Sequence, residues 1–343
     1  MQFAASTSVN KAPFGQITES EFSPPWWALN RHIQTLWPRF IQRRTPVDLR
    51  WEQLDLPDGD FVELAWTPQQ PDPKGLVVCF HGLEGSVRSH YANDMAAFLH
   101  KMGWQTVVMH FRGCGNRPNL TPRAYHSGDT EDAMYLLEKL QGRYPHLHRY
   151  AVGFSLGANM LLKLLGENIR QRWIKGAVAI SPPLKLAECA VSIGRGFSQV
   201  YQRYLLNSMR NRLLGKMQQL DYSDLLDIDA EKVSSFKCFR DFDQYITAPL
   251  HGFDDADDYY QKCSAIHYLR HIQTPTLVLH SADDPFMNTK VIPRPDQISA
   301  NVRVELSRKG GHVGFMQGTP WKPVIWTHQR VLSFLNENRA ALA

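Results

Sequence analysis

The sequence contains little cysteine and has no strong excess of either charge. Only five of its 343 residues are cysteines, and no two of them form a Cys-x-x-Cys pair. This argues against a disulfide framework and against a thiolate zinc site. The 38 basic and 33 acidic residues leave a net charge of +5, which is too small to indicate nucleic acid as a partner.

Long apolar runs are also missing. No stretch of about 18 uncharged apolar residues occurs, so the sequence predicts no membrane-spanning helix. The first residues, Met1 to Thr7, have neither the basic nor the apolar segment that begins a secretory signal. Together with the few cysteines, this favours a reduced, cytoplasmic location. The hydrophobic content of 43% is that of an ordinary globular protein.

Short apolar runs alternate with helical patterns over most of the chain. Two alternating runs, Trp51–Leu56 and Phe61–Trp66, flank a Pro-Asp-Gly turn and predict a β-hairpin. Six further strands are predicted at 76–80, 105–111, 149–153, 176–181, 276–280 and 302–306. Helical patterns between most of these strands indicate an α/β fold, with a mostly parallel sheet flanked by helices.

Two segments stand outside this alternation. Residues 1–47 are rich in proline and aromatic side chains and are predicted to form an N-terminal arm, which leaves residues 48–343 as one domain. A polar, helical insertion from about Leu184 to Leu250 separates the last strands from the others. We expect the insertion to form a lid.

One helix of the insertion has apolar residues at every fourth position. These residues are Tyr201, Leu205, Met209, Leu213 and Met217. Such spacing is typical of an amphipathic helix, and here it is expected to cover an apolar acyl pocket. The basic residues of the helix, Arg203, Arg210, Arg212 and Lys216, are expected to face solvent, where they leave room for weak peripheral membrane contact.

The motif Gly153-Phe154-Ser155-Leu156-Gly157 lies between a predicted strand and a predicted helix. A serine on such a tight turn projects its hydroxyl above the sheet, and flanking glycines prevent backbone clashes. The motif by itself is weak, but this setting makes Ser155 a candidate nucleophile. The alternative is a turn serine in an inactive scaffold.

A serine nucleophile needs a base and an acid that orients the base. In the chain order Ser, Asp, His that accompanies this motif, Asp283 and Asp284 follow one predicted strand and His312 follows the next. His312 is the candidate base. Asp284 is favoured as the acid because it stands three residues after Ser281, while Asp283 remains as the alternative.

Acyl transfer also requires backbone donors for the oxyanion that forms in the transition state. The amide of Leu156, directly after the nucleophile, is one candidate. The amide of Leu83, in the glycine-containing loop after the first strand of the parallel sheet, is the other. Glu84, next to Leu83, is interpreted as a surface or gating residue.

The chain resembles the α/β-hydrolase superfamily, and three segments look like its AB hydrolase 4 branch, the YheT-like esterases. These segments are Asn30–Thr35, His110–Cys114 and Asp283–Pro285. The resemblance implies cleavage of carboxylic esters without a metal or an organic cofactor. It implies that Ser155 is the nucleophile, Asp284 the acid and His312 the base. It leaves the substrate open between a small-molecule ester and a lipid ester.

Other functions stay open at the level of sequence. Acyl transfer to an alcohol, or thioester cleavage, would use the same residues, and a non-catalytic binding protein could retain the fold. The cluster Asp254–Asp258 lacks the spacing of a calcium loop and is interpreted as the start of a helix. Arg39, Arg43 and Arg44 are too few for a nucleic-acid site and favour an arm that wraps the domain. The oligomeric state is left undetermined.

Overall fold

A computed structural model describes residues 14–40 and 47–342. The described residues form a nine-stranded sheet with the order β1-β9-β8-β7-β6-β4-β5-β3-β2. In chain order the strands are β1 (Gln16–Glu19), β2 (Arg50–Asp55), β3 (Phe61–Trp66), β4 (Leu76–Phe80), β5 (Gln105–Met109), β6 (Arg149–Phe154), β7 (Gly176–Ile180), β8 (Thr276–Ser281) and β9 (Val302–Ser307). The run from β1 to β5 in this order is parallel, and β3 and β2 continue it as an antiparallel hairpin. The predicted hairpin and the predicted mostly parallel sheet are confirmed.

Helices cover both faces of the sheet and fill the long connection between β7 and β8. They are α1 (Arg31–Phe40), α2 (His90–Lys101), α3 (Glu131–Arg143), α4 (Leu156–Glu167), α5 (Leu186–Ile193), α6 (Gln199–Met217), α7 (Ala230–Ser235), α8 (Phe239–Phe242), α9 (Ala248–Leu250), α10 (Ala256–Cys263) and α11 (Trp326–Ala340). A small hairpin of β10 (Met316–Thr319) and β11 (Lys322–Ile325) precedes α11. Helices α3 and α4 pack in the core on one face of the sheet, whereas α2 and α11 pack in the core on the other.

The helical connection between β7 and β8 is longer than the predicted insertion. Beyond Leu250 it continues through α10, where the Asp255 side chain accepts a hydrogen bond from the Asp258 amide at 2.8 Å and so caps the helix. The prediction that this acidic cluster begins a helix is confirmed. The role of the connection as a lid stays a prediction.

The arm is more closely joined to the domain than its composition suggests. Residues Gln16–Glu19 form β1, which pairs in parallel with β9 at the edge of the sheet. Farther along, the buried amide of Gln34 donates to the Ala28 carbonyl at 2.9 Å and accepts from the Met316 amide at 2.7 Å. The arm is thereby fixed to the segment that follows His312. The predicted boundary at residue 47 stays a prediction. Of the basic cluster in the arm, Arg43 and Arg44 lie outside the described residues.

A buried arginine ties the β2–β3 turn to the end of β5. The Arg112 guanidinium donates to Asp132 at 2.7 and 2.8 Å, and to Asp58 and Asp60 at 2.6 and 3.1 Å. Burial alone would raise the pKa of Asp60, but hydrogen bonds from Asn119, Thr121 and backbone amides lower it to about 2. These ion pairs hold the loop after β5, which forms part of the cavity described below.

Candidate active site

Ser155 occupies a strained turn between β6 and α4. Its φ of +50° lies in the left-handed region that side-chain-bearing residues rarely adopt. The neighbouring glycines are required by space, because a Cβ at Gly153 would lie 2.6 Å from the Ala158 Cα and one at Gly157 would lie 2.4 Å from the His81 carbonyl oxygen. The turn therefore lifts the Ser155 hydroxyl out of the strand and toward the loops at the carboxyl edge of the sheet.

The side chains of Ser155, His312 and Asp284 form a hydrogen-bonded chain. The Nε2 atom of His312 lies 2.9 Å from the Ser155 Oγ, and its Nδ1 atom lies 2.8 Å from the Asp284 Oδ2. Because an ionised carboxylate can only accept, Nδ1 carries the proton that it donates to Asp284. The Nε2 atom is then free to accept the Ser155 proton, as a general base must.

The two neighbouring aspartates have different partners. Asp284 is 2% exposed, and its second oxygen accepts from the Phe286 amide at 2.8 Å. Asp283 instead accepts from the Gly311 amide at 3.0 Å and from the Ser281 hydroxyl at 3.1 Å. The structure therefore brings Asp284 to the imidazole, while Asp283 braces the loop that carries His312.

The arm supplies a further hydrogen bond to His312 that sequence reasoning missed. The backbone amide of His312 donates to the Thr35 Oγ1 at 2.9 Å, and the Thr35 hydroxyl donates to the Arg31 carbonyl at 2.8 Å. On its other side, the imidazole stacks on the Phe286 ring with centroids 3.9 Å apart and planes 11° from parallel. The signal for Thr35 was present in the Asn30–Thr35 segment, but its partner is far away in the sequence.

Two backbone amides at the site have no acceptor among the described residues. In the loop after β4, the Gly82 amide donates to the Tyr91 hydroxyl at 3.0 Å and the Glu84 amide to the Tyr125 hydroxyl at 2.8 Å. The Leu83 amide between them makes no hydrogen bond within the described part of the chain, and neither does the amide of Leu156. Both residues line the same cavity as Ser155, so the role of their amides as oxyanion donors stays a prediction.

Glu84 is not a surface residue. Its side chain is 4% exposed and accepts from the Arg212 guanidinium at 3.0 Å. The same carboxylate accepts from the Tyr125 hydroxyl at 2.8 Å and from the Ser208 hydroxyl at 2.6 Å. Since Ser208 and Arg212 belong to α6, this network joins the helical connection to the loop that contains Leu83.

A mostly apolar cavity extends from Ser155 beneath the helices that connect β7 and β8. Its apolar lining near and beyond the serine includes Leu186, Ile193, Leu205, Met209, Leu213, Ile246, Phe286 and Met287. Three residues of the predicted α6 stripe are thus part of the wall. The predicted solvent-facing basic side of α6 is wrong for Arg212 and Lys216, which also line the cavity.

These two cations point inward because polar groups of the domain bind them. The Lys216 ammonium donates to the Asn119 side-chain oxygen at 2.9 Å and to the Thr121 carbonyl. Burial lowers the pKa of Lys216 to about 8. Arg212 is bound by Glu84, as described above, and by the Cys114 thiol at 2.7 Å. Apolar residues at every fourth position identify only one face of a helix. In α6 the cavity is lined both by residues of that face and by Arg212 and Lys216.

One carboxylate in the cavity wall was not anticipated. Asp243 begins a π-helical turn, Asp243–Thr247, and accepts from the Tyr260 hydroxyl at 2.7 Å and from the Thr247 hydroxyl at 2.8 Å. Burial raises the pKa of Asp243 to about 6. π-Helical turns are rare and often occur at functional sites. The Asp243 carboxylate thus adds a polar group to the mostly apolar cavity wall.

The fold and the hydrogen-bonded serine correspond to a known class of enzymes. Residues 75–319 match the family model of the alpha/beta hydrolase fold, and the chain belongs to this family. It is 44% identical over 320 residues to "Putative esterase YheT" of Escherichia coli K12, covering 93% of this chain and 94% of that one. The predicted fold class and the resemblance to YheT-like proteins are confirmed.

More distant relatives carry lipase-type names. The chain is 28% identical over 321 residues to the mouse protein named phospholipase ABHD3, covering 91% of this chain and 76% of that one. The Pyrococcus furiosus esterase Pf2001 shares the fold, with a TM-score of 0.55, 18% identity, and coverage of 88% of this chain and 98% of that one. The chain is therefore an α/β hydrolase of the esterase and lipase type.

The described residues contain neither a membrane-spanning helix nor a cluster of metal-binding side chains. None of the helices in 14–40 and 47–342 is long and apolar enough to cross a bilayer. Within the same residues, no group of three or more histidine, cysteine or acidic side chains is placed to hold a metal ion.

The contact between Thr35 and His312 predicts that Thr35 positions the base. In a Thr35→Val variant, the partly buried His312 amide loses its acceptor, so we expect kcat for 4-nitrophenyl acetate to fall about tenfold with KM changed less than about twofold. Thr35→Ser keeps the acceptor and should keep kcat. An equal fall of kcat in both variants, or a rise of KM with kcat unchanged, would contradict a positioning role. Urea unfolding checks that both variants are folded.

Proposed function

We propose that this protein is a serine hydrolase that cleaves carboxylic esters through an acyl-enzyme. The observation that carries the proposal is the hydrogen-bonded chain from Ser155 through His312 to Asp284, with Nε2 at 2.9 Å from the nucleophile oxygen. An alcohol as weakly acidic as serine needs a base at this distance. The membership in a family of esterases and lipases agrees with it.

The first half of the reaction forms a covalent intermediate. His312 takes the Ser155 proton as the oxygen attacks the ester carbonyl, and the new imidazolium is stabilised by Asp284. The oxyanion of the tetrahedral intermediate is bound by the Leu83 and Leu156 amides. Collapse of the intermediate breaks the bond to the alkoxy oxygen, which takes the proton from His312 and leaves as the alcohol.

The second half returns the enzyme to its starting state. A water molecule gives a proton to His312 and attacks the acyl carbonyl, and the same two amides bind the second oxyanion. The acid is then released as Ser155 recovers its proton from His312. Asp284 keeps the imidazole in one tautomer through both halves, and no metal or organic cofactor is required.

The substrate class follows from the cavity. Leu205, Met209 and Leu213 of α6 line it together with Ser155, so an acyl chain attached to the serine would lie against apolar side chains. We infer esters with an apolar acyl chain, from small molecules or lipids, as substrates, and a lid function for α6. The phospholipase name of one relative is in accord with a lipid ester.

The nucleophile assignment predicts selective modification of Ser155. A fluorophosphonate probe should label the protein at Ser155, and peptide mapping by mass spectrometry identifies the site. Ser155→Ala should abolish both the label and the turnover of 4-nitrophenyl esters, whereas Ser333→Ala, on the exposed side of α11, should preserve both. Labelling at another serine, or turnover unchanged in Ser155→Ala, would contradict the proposed mechanism.

The apolar wall predicts a dependence on acyl-chain length. Because each buried methylene contributes about 0.8 kcal/mol, kcat/KM for 4-nitrophenyl esters should rise about fourfold per methylene from the acetyl ester until the pocket is filled. Met209→Trp narrows the cavity and should lower kcat/KM for the octanoyl ester about tenfold relative to the acetyl ester. The control Asn211→Trp, on the exposed side of α6, should leave this ratio unchanged. A wild-type rate independent of chain length would exclude an apolar acyl pocket.

A further inference from the structure

Exposed apolar side chains are concentrated on three segments of the described chain. The segments are residues 22–40, 189–204 and 316–326, and together we call them the apolar face. They carry ten of the sixteen large hydrophobic side chains that are exposed in the described residues. The most exposed of the ten include Trp26, Phe40, Phe197, Val200, Tyr204 and Trp321, each more than half accessible to solvent. Single exposed hydrophobic residues are normal on a protein surface, whereas a group of them marks an interaction surface.

The three segments adjoin one another. The His32 ring lies 4.6 Å from the Phe197 ring, centroid to centroid, and the Arg39 guanidinium donates to the Tyr204 hydroxyl at 2.6 Å. The Trp27 indole donates to the Gly318 carbonyl at 3.0 Å, which joins the arm to the β10–β11 hairpin. Segment 22–40 therefore contacts both of the other segments, and the three form one connected region of the described chain.

The charge of the apolar face has a single sign. Its five charged residues are Arg31, Arg39, Arg195, Arg203 and Lys322, and the three segments contain no aspartate or glutamate. All five are exposed, and none of them forms an ion pair with another described residue. In a chain with 33 acidic residues, this leaves five uncompensated cations among exposed aromatic side chains.

The apolar face is built on the elements that form the candidate site. Helix α6 presents Val200 and Tyr204 to solvent and Leu205 and Met209 to the cavity. Tyr201, between them, packs on the Phe286 ring that in turn stacks on His312, with ring centroids 5.0 Å apart for the first pair. A partner bound to the apolar face would thus contact α6, the same helix that forms part of the cavity wall.

We propose that the apolar face binds the surface of an anionic lipid bilayer. Tryptophan, tyrosine and phenylalanine partition into the interfacial region of a bilayer, and arginine and lysine beside them are attracted to anionic headgroups. The cations involved differ from those that the sequence suggested, since Arg212 and Lys216 point into the cavity. The biological purpose of this binding, access to lipid esters in the bilayer, rests on the proposed function. The binding itself does not require catalysis.

Sedimentation with vesicles tests the proposal on the full chain. Vesicles of phosphatidylcholine that contain about 30% of the anionic lipid phosphatidylglycerol should bind the protein. Vesicles of pure phosphatidylcholine should bind it much more weakly. Arg203→Glu/Lys322→Glu should weaken binding to the anionic vesicles at least about tenfold. Val200→Ser/Trp321→Ser should do so to a similar extent. The matched control is Ile169→Ser/Arg170→Glu, which changes an exposed apolar residue and a cation after the far end of α4 and should bind as the wild type does.

Separate readouts distinguish this proposal from the proposed function. Ser155→Ala should still bind the vesicles, and the apolar-face variants should keep wild-type turnover of soluble 4-nitrophenyl acetate. Failure of the wild type to bind anionic vesicles, or equal binding by control and apolar-face variants, would overturn the proposal. A wild-type dimer in analytical ultracentrifugation that becomes monomeric in Val200→Ser/Trp321→Ser would assign the face to a second copy of the chain and would overturn it as well.

Discussion

The position of the His312 imidazole depends on four contacts from three separate parts of the chain. Asp284 binds Nδ1, Ser155 approaches Nε2, Thr35 of the arm accepts from the backbone amide, and Phe286 packs against the ring. Parallel pairing of β6, β7, β8 and β9 brings the loops that carry Ser155, Asp284 and His312 to one edge of the sheet. The fold thus supplies the approximate place of the ring, and the four contacts determine its orientation.

The meeting of Ser155, Asp284 and His312 could be predicted because each of these residues follows a strand in a local pattern. A glycine-flanked serine, an acidic turn and a Gly-Gly-His loop are features of a few neighbouring residues, and a parallel sheet brings such loops together. The contact of Thr35 with His312 could not be predicted, because it joins residues 277 positions apart. Strand β1 was missed for a related reason: its four residues contain one apolar side chain, Ile17, and its order comes from pairing with β9.

Helix α6 illustrates the limit of periodicity as a guide to burial. A repeat of four residues identified the apolar wall of the cavity, but it assigned Arg212 and Lys216 to solvent. Both cations are held inward by partners that come from other loops, Glu84 and Asn119. A buried cation is stable only where such partners satisfy it, and those partners are visible only in three dimensions. The result is a cavity that is apolar along α6 and polar where the helix meets the domain.

The proposed mechanism requires that Asp284, and not its neighbour Asp283, orients the His312 imidazole. The most direct measurement compares kcat/KM for a 4-nitrophenyl ester in Asp284→Asn and Asp283→Asn. We expect a loss on the order of 10³- to 10⁴-fold for Asp284→Asn, because the wrong tautomer is then favoured. For Asp283→Asn, which weakens a loop contact, we expect a loss of no more than about tenfold. A severe loss in Asp283→Asn alone, with Asp284→Asn active, would contradict this requirement.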